Sequence, residues 1–313
     1  MFYIHETEKI RQERPSIIMI GKFDGFHRGH QKILREAVAD RTGDRQVVVF
    51  TFSRSPQAVL TGRGGTSLNT RREKLALAER FGADGMIEYP FTEEVRRMSA
   101  ETFLHEILLE QLRVCEIVAG PDCRFGYERQ GDMAFLKEKS RELGFALRIV
   151  EKERYEGEVI SSSRIRAALL RGDVEEADTM LGYSFGYEAE IVHGRRLGRK
   201  LGFPTINQEI PLGKLVPAMG VYAAEIFLEG QRFRGIANVG VKPTVSDGEE
   251  KAGHRIAGIE TSIFDFHQDV YGKRARVELK HFIRPEKHFA TLESLKGQVE
   301  RDTKIVREYW KRA

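Results

Sequence analysis

Cysteine is scarce in this sequence, which contains only Cys115 and Cys123 among its 313 residues. The two are not spaced as a CxxC pair, so neither a disulfide framework nor a zinc ribbon is predicted. Such sparing use of cysteine is typical of a reducing compartment. We therefore expect a cytoplasmic protein.

Long apolar runs and basic blocks are absent as well. No apolar run approaches the roughly 18 residues of a membrane helix, and the N-terminal stretch MFYIHETEKIRQERP is too charged for a signal peptide. The chain has 51 Lys and Arg against 47 Asp and Glu, a net charge of +4, without a basic block long enough for a nucleic-acid arm. These features predict a soluble protein whose partners are small anionic molecules, with no nucleic acid and no membrane among them.

A Pro/Ser-rich linker is also missing, yet the pattern of apolar residues changes near residue 183. Over residues 15–150, short apolar runs alternate with amphipathic stretches in about five βα units, which is typical of a Rossmann-like, doubly wound parallel sheet. From residue 183, short alternating strands are separated by Gly turns, which predicts an antiparallel β-barrel with a terminal helix. A chain of this length can bury two cores, so we expect domains at 1–182 and 183–313.

Individual elements follow from local signals. A buried strand is predicted at Gln46–Phe52, and Thr70 with Glu73 forms a capping-box pattern for a helix that ends near Gly82. The last helix is expected to pack against the barrel through one apolar stripe, formed by Leu292, Leu295, Val299, Val306 and Tyr309.

The stretch SIIMIGKFDGFHRGH, residues 16–30, combines a buried strand, a glycine-punctuated turn and the start of an amphipathic helix. The first N–H groups of a helix lack intrahelical partners and the helix macrodipole is positive there, so this stretch predicts an anion site that suits phosphate. His27 and His30, at i and i+3, are expected on one side, where they can donate hydrogen bonds to phosphate oxygens. From the residues alone, a pair of surface histidines at a helix start is the alternative.

The HxGH pattern within GxFDGxHxGH resembles the signature of the nucleotidylyltransferases. This form of it is similar to the adenylyltransferase half of the bacterial bifunctional riboflavin kinase/FAD synthetase family. The resemblance implies an adenylyl-transfer site in which His27 and His30 are catalytic. It also implies nucleotide-binding roles for Gly21, Phe23, Asp24, Gly25 and Gly29.

Two later stretches are expected to contribute to the same site. Asp122 and Arg124 lie in GPDCRFG, which follows a predicted strand at its carboxyl end, although a plain turn is the alternative there. Ser162, Ser163 and Arg166 lie in SSSRIR, where the serines could serve only as helix caps. By resemblance to the family, both stretches bind nucleotide.

A second dense motif, HGRRLGRKLGFPTIN, spans residues 193–207. Its glycines let the backbone approach a polyphosphate while its basic residues supply charge, although a solvated basic hairpin would show the same pattern. The tail GRxLGFPTxN resembles the riboflavin kinase signature. By that resemblance Thr205 and Asn207 hold the Mg²⁺ that bridges ATP phosphates, a hard cation suited to hydroxyl and amide oxygens. The same resemblance implies that ATP is bound by Gly194, Gly198, Arg199, Gly202 and Pro204.

Phosphorylation of an alcohol also needs a positioned base, because the nucleophile is a neutral hydroxyl. Glu260 lies in an otherwise apolar strand, where an outward glutamate on an edge strand is the alternative. Its position, in ET before a D-x-YG turn, matches the catalytic glutamate of the family. The resemblance extends through that turn, the stretch FIRPEKHF and the last helix, and it implies that flavin is bound by Tyr271, Arg284, Gln298 and Asp302.

Together the two signatures imply flavin cofactor biosynthesis with ATP as a substrate. The C-terminal domain would phosphorylate riboflavin to FMN, and the N-terminal domain would join AMP to FMN, giving FAD and pyrophosphate. One alternative is a monofunctional kinase with a decayed nucleotidylyl domain, since Cys123 stands where the family usually has Phe and Ser55 where it commonly has His. Another is a nucleotide- or flavin-sensing module without turnover, against which the retained Glu260 argues. The sequence gives no indication of the oligomeric state.

Overall fold

The computed structural model describes residues 1–53, 66–194, 202–242 and 256–312. The chain divides into two compact units, Met1–Ser162 and Ser163–Ala313. The two helices that lead into the barrel strands therefore lie almost entirely in the second unit. The division expected after residue 182 stays a prediction about the functional domains.

The first unit is built on a six-stranded parallel sheet, which confirms the predicted fold class of this half. The order of its strands is β1-β4-β3-β2-β5-β6. The central strand is buried on both faces, as a sheet covered by helices on either side requires. The strands are β1 (Phe2–His5), β2 (Ser16–Ile20), β3 (Gln46–Phe52), β4 (Gly85–Tyr89), β5 (Val114–Ala119) and β6 (Ala146–Ile149).

Strand β1 is an addition that the sequence pattern did not predict. It pairs in parallel with β4 at the edge of the sheet, and most of its side chains are only half-buried. The Phe2 ring lies directly over Gly85, where a Cβ atom would overlap it. A short edge strand of this kind has no buried alternating pattern, so the sequence gives little sign of it, and backbone pairing with β4 together with the Phe2 ring holds it in place.

The helices of the first unit follow the predicted pattern closely. The capping box of Thr70 and Glu73 is formed, with both reciprocal hydrogen bonds present at the start of α2. A short two-stranded hairpin, β7 (Arg154–Tyr155) and β8 (Glu158–Val159), was not predicted. The helices are α1 (Arg28–Ala39), α2 (Arg71–Arg80), α3 (Glu93–Arg97), α4 (Ala100–Thr102, continued by a π-helix at Phe103–Gln111) and α5 (Met133–Leu143).

The second unit contains an antiparallel six-stranded sheet that curls into a near-barrel, as predicted. The strand order is β10-β13-β12-β11-β14-β9. The two edge strands approach each other at a bridge between Val192 and Asn207, and Gln208 Nε2 donates to the carbonyls of Ala189 and Ala275. The elements are α6 (Ser162–Arg171), α7 (Val174–Leu181), β9 (Gly186–Glu190), β10 (Ile206–Glu209), β11 (Gly220–Leu228), β12 (Gln231–Lys242), β13 (Ile256–Ile263), β14 (Arg274–Pro285) and α8 (Leu292–Arg312).

Helix α8 packs against one face of this sheet through only part of the predicted stripe. Val306 is fully buried among Val221, Ala223 and Ile236 of β11 and β12. Leu292 is instead exposed, so the prediction for that residue is wrong, because it lies at the first position of the helix. Among the described helices, none is both long enough and apolar enough to cross a membrane.

The buried position near the middle of α8 is occupied by a carboxylate. Asp302 is 1 % exposed. The guanidinium of Arg284 donates to it from Nε and Nη2, the shortest distance being 2.7 Å, and Gln298 Nε2 donates to it at 2.8 Å. A buried charge pair of this kind holds the helix in one register on the sheet.

We expect Asp302→Asn to lower the free energy of unfolding of the second unit by about 3 kcal/mol, since it leaves the Arg284 charge uncompensated in a buried place. Urea unfolding measures the change. The matched control is Asp265→Asn, which removes the exposed pair between Asp265 and Arg307 of the same helix, and it should change stability little. Equal effects of the two substitutions would contradict the importance given to the buried pair.

Candidate active sites

The turn after β2 is strained in a way that sets the direction of the following histidines. Phe23 and Phe26 both have positive φ angles, 47° and 39°, in the region that bulky side chains rarely adopt. Gly25 between them has φ 79°. Each strained residue costs of the order of 1–3 kcal/mol, and such strain persists only where surrounding contacts fix it. Here the two phenylalanine rings are buried, which holds the turn in place.

The predicted pair of histidines is brought together at the start of α1. His27 is the N-cap residue, but its side chain makes no capping hydrogen bond. Its ring stacks on that of His30 with centroids 3.7 Å apart. A Cβ atom at Gly29 would lie 3.2 Å from two atoms of the His27 ring. Glycine at this position therefore leaves space for the ring. In the part of the chain that the structure describes, neither Nδ1 atom has a hydrogen-bond partner.

Burial keeps both imidazoles neutral. It lowers the pKa of His27 to about 4, although the negative charge of Asp24 acts in the opposite sense. It lowers the pKa of His30 well below its usual value, and the charges of His27 and Lys74 act in the same sense as burial. A neutral imidazole still carries one N–H donor. The pair can therefore donate to an incoming phosphate without bringing a full positive charge.

Asp24 ties the turn to two distant parts of the first unit. Its Oδ1 atom accepts hydrogen bonds from Ser67 Oγ and the N–H of Leu68, both at 2.7 Å. Its backbone carbonyl accepts from Ser162 Oγ at 2.8 Å. Ser162, one of the predicted nucleotide-binding serines, thus contacts the turn that contains Asp24 directly. Ser163 and Arg166 follow on α6 and belong to the second unit, and their nucleotide-binding role stays a prediction.

Sequence reasoning missed two charged residues near this turn, Lys74 and Glu88. Lys74 is mostly buried, and its Nζ atom lies 4.0 Å from Glu88 Oε1. Burial lowers the pKa of Lys74, while the negative charges of Glu88 and Asp24 oppose that shift. Glu88 is also buried; it accepts one hydrogen bond from Tyr3 Oη at 2.8 Å and pairs with Arg71. A lone carboxylate inside the apolar strand MIEY was the available sequence signal for this cluster.

The loop after β5 carries the predicted Asp122 and Arg124. Each has an ionic neighbour: Lys152 Nζ lies 2.8 Å from Asp122 Oδ2, and Asp132 Oδ2 lies 3.8 Å from Arg124 Nη1. Cys123 between them packs against the core, and burial raises the pKa of its thiol to about 11. It therefore serves as a small apolar residue in the place of the usual Phe. The nucleotide-binding roles of Asp122 and Arg124 stay predictions.

In the second unit, the end of the predicted ATP loop is joined to the barrel through Asn207. Its backbone carbonyl accepts from the N–H of Val192 at 2.8 Å. A Cβ atom at Gly194 would lie 2.5 Å from Asn207 Nδ2, so glycine allows the backbone to lie against this amide. Thr205 lies immediately before β10 and is half-buried. Gly202 and Pro204 precede it in the same loop. Gly198, Arg199 and Ser55 lie outside the described residues.

Strand register places the predicted base beside the predicted metal ligand. Glu260 on β13 is directly opposite Asn207 on β10. Residues directly opposite on adjacent antiparallel strands have Cβ atoms about 4.5–5.5 Å apart and share a face of the sheet. The carboxylate of Glu260 and the amide of Asn207 therefore form one polar site. Thr205 lies two residues before Asn207, just ahead of the strand.

The predicted flavin residues lie at two places around this site. The ring of Tyr271 contacts that of His193 in a tilted arrangement, with centroids 3.8 Å apart and planes at 37°, and His193 begins the ATP motif. Arg284 continues the same sheet, opposite Val221, and pairs with Asp302 and through it with Gln298 on α8. Their flavin-binding roles stay predictions.

The side chains of Thr205 and Asn207 suit a hard divalent cation. They offer a hydroxyl and an amide oxygen, and Mg²⁺ prefers oxygen ligands. Among the described residues no group of three or more His, Cys, Asp and Glu side chains could hold a metal ion by itself. A cation at this place would therefore need phosphate or water oxygens as further ligands, as Mg²⁺ in nucleotide sites usually has.

Family models match the two halves of the chain separately. One described as FAD synthetase matches residues 9–164, and one described as riboflavin kinase matches residues 181–310. A solved structure titled as a macrolide-efflux protein from Streptococcus pneumoniae superposes with a TM-score of 0.86 at 31% identity, covering 98% of this chain and 99% of that chain.

Curated relatives match over nearly the whole length. A protein of Escherichia coli (strain K12) is 34% identical over 98% of this chain and 96% of its own, and one of Listeria monocytogenes is 33% identical over 94% and 92%. A protein of Pseudomonas fluorescens is 33% identical over 95% and 93%. All three are named bifunctional riboflavin kinase/FMN adenylyltransferase. The chain therefore belongs to the bifunctional riboflavin kinase/FMN adenylyltransferase family of transferases, with the FAD synthetase match preceding the riboflavin kinase match.

Proposed function

We propose that this chain makes FAD from riboflavin in two ATP-dependent steps, with Glu260 and the His27/His30 pair as the catalytic residues. The observation that carries the proposal is the register of the barrel, which sets Glu260 directly opposite Asn207. A binding module needs no base beside its phosphate site, whereas transfer of a phosphoryl group to a neutral hydroxyl does.

In the first step the Glu260 carboxylate accepts the proton of the terminal ribityl hydroxyl of riboflavin. The hydroxyl oxygen forms a bond to the γ-phosphorus of ATP while the bond between that phosphorus and the departing ADP oxygen breaks. Thr205 and Asn207 would hold Mg²⁺, which supplies positive charge to the ATP phosphates when bound. The products are FMN and ADP.

In the second step a phosphate oxygen of FMN attacks the α-phosphorus of a second ATP, and the bond to pyrophosphate breaks. Negative charge grows on the α-phosphate oxygens during this displacement. His27 and His30 donate hydrogen bonds to those oxygens, and the N-terminus of α1 adds its own N–H groups and positive dipole end. The neutral state of the imidazoles suits this donor role, since no proton has to be transferred.

A cytoplasmic location is part of the same proposal. Both cysteines are free in the structure. An enzyme of flavin cofactor synthesis also needs ATP, which is a cytoplasmic substrate.

We expect Glu260→Gln to lower kcat for riboflavin phosphorylation about 100-fold or more, because the variant lacks the general base. Chromatographic separation of riboflavin, FMN and FAD measures it. FAD formation from supplied FMN should be unchanged. Glu190→Gln, an exposed strand glutamate in the same sheet, is the matched control and should retain full activity. Phosphorylation by the Glu260 variant at the parental rate would make this residue structural.

We expect His30→Ala to lower FAD synthesis from FMN about 10²–10³-fold with a much smaller change in ATP affinity, since its hydrogen bond strengthens in the transition state. Riboflavin-fed variant protein should accumulate FMN. His105→Ala changes a partly exposed helical histidine of the same unit and serves as the control. Unchanged FAD synthesis would remove His30 from the mechanism, and a parent protein that makes FMN but no FAD would favour a decayed N-terminal domain.

The neutral histidine pair also predicts how stability depends on pH. His27 has a pKa of about 4 in the folded protein and about 6.5 when unfolded. The unfolded chain therefore binds an extra proton between these values, and stability falls as pH decreases through that window, by at most about 1.4 kcal/mol per pH unit. Urea unfolding at pH 7.5 and pH 5 should show a smaller loss for His27→Gln than for the parent. An equal loss of stability in the parent and in His27→Gln would mean that the His27 side chain is solvated and contributes nothing to the pH dependence.

A further inference from the structure

Asn238 lies in the same row of the barrel as the proposed kinase residues. It is on β12, directly opposite Glu260 of β13, on the side away from Asn207. Glu260 is therefore placed between two asparagines on adjacent strands, each with its Cβ atom about 4.5–5.5 Å away. The three side chains share one face of the sheet.

Asn238 is a half-buried polar residue that has apolar neighbours on one side. Its neighbour on β11 is Val221, and Ile236 precedes it by two residues on the same strand face. Both of those residues pack against α8. A half-buried amide beside such neighbours loses part of its hydration, and hydrogen bonds offset that cost.

The observed hydrogen bond of Asn238 goes to a second carboxylate. Its Nδ2 atom donates to Glu286 Oε1 at 3.4 Å. The next residue on the same face of the strand is Gly240, and a Cβ atom there would overlap the Glu286 carboxylate. The chain thus provides a place for Glu286 beside Asn238, with no side chain at residue 240 to compete for it.

We propose that Asn238 is a positioning residue of the riboflavin kinase site, whose amide lies between Glu260 and Glu286 and holds the Glu260 carboxylate in its working orientation. An amide nitrogen has two N–H donors, so one can serve each carboxylate. A carboxylate has two oxygens, and one held by the amide leaves the other to accept the proton of the substrate hydroxyl. The donor also separates two like charges.

This inference rests on the proposed role of Glu260 as the base, and the experiment separates the two. Riboflavin phosphorylation is measured for the parent, Asn238→Ala, Glu260→Gln and the double variant, with kcat and KM determined for each. Residues that act through one another give non-additive losses, whereas independent sites add. FAD synthesis from FMN and urea unfolding of the same samples report whether each chain is folded.

We expect Asn238→Ala to lower kcat about 10–100-fold, the range found for residues that orient a catalytic group, with little change in KM. In the Glu260→Gln background the same substitution should have no further effect on kcat. Gln231→Ala, at the exposed far end of the same strand, is the matched control and should behave as the parent.

Asn238→Asp is the second variant, and it keeps the shape of the side chain. It replaces a donor by a carboxylate between two others, so we expect its kcat to be at least as low as that of Asn238→Ala. A role in packing alone predicts the opposite order, because Asp fills the same space as Asn. If Asn238→Ala fails to fold, the loss or retention of activity in Asn238→Asp decides the question.

Three results would overturn the inference: a parental kcat for Asn238→Ala, a full additional loss in the Glu260→Gln background, or higher activity with Asp than with Ala. A parental rate for Glu260→Gln alone would instead refute the proposed base, and a positioning role toward it would be refuted with it. The single variants therefore identify which of the two statements is wrong.

Discussion

Closure of the barrel at Asn207 is the constraint on which the second unit depends. The hydrogen bond between the N–H of Val192 and the carbonyl of Asn207 joins the two edge strands. The same residue contributes its side-chain amide to the proposed metal site, against which the backbone at Gly194 can lie because it has no Cβ. An edge strand normally carries unpaired backbone groups. Here the pairing of Val192 with Asn207 also fixes the position of the proposed metal ligand. The fold of the barrel and its chemistry thus share one residue.

The position of β10 determines what faces Asn207. Because the period of a strand is two residues, a shift of β10 by one residue would move Asn207 to the opposite face of the sheet from Glu260. Gln208, the next residue, donates two hydrogen bonds to backbone carbonyls of β9 and β14 and so fixes that register. A single polar side chain directed to the other face therefore keeps Glu260 and Asn207 side by side. The buried pair of Arg284 and Asp302 fixes the register of α8 in a similar way.

Burial sets the protonation state of the histidine pair in the first unit more than neighbouring charges do. Two stacked imidazoles at the start of a helix would be half protonated near neutral pH if they were solvated, and they would then repel each other. Burial instead favours their neutral forms. The strained backbone at Phe23 and Phe26 directs the chain into the helix that begins after His27. Lys74 lies in the same region, with its Nζ atom 4.0 Å from the Glu88 carboxylate.

The sequence by itself determined the elements and motifs whose causes are local. The strand Gln46–Phe52 and the capping box of Thr70 follow from neighbouring residues, and both signatures are contiguous in the chain. The strand Phe2–His5, the exposure of Leu292 and the row of Asn207, Glu260 and Asn238 could not be predicted in that way. Each depends on which distant residue lies opposite, and register and packing are decided only when the whole sheet forms. The tertiary structure therefore decided which residues, distant in sequence, lie next to the two signature motifs.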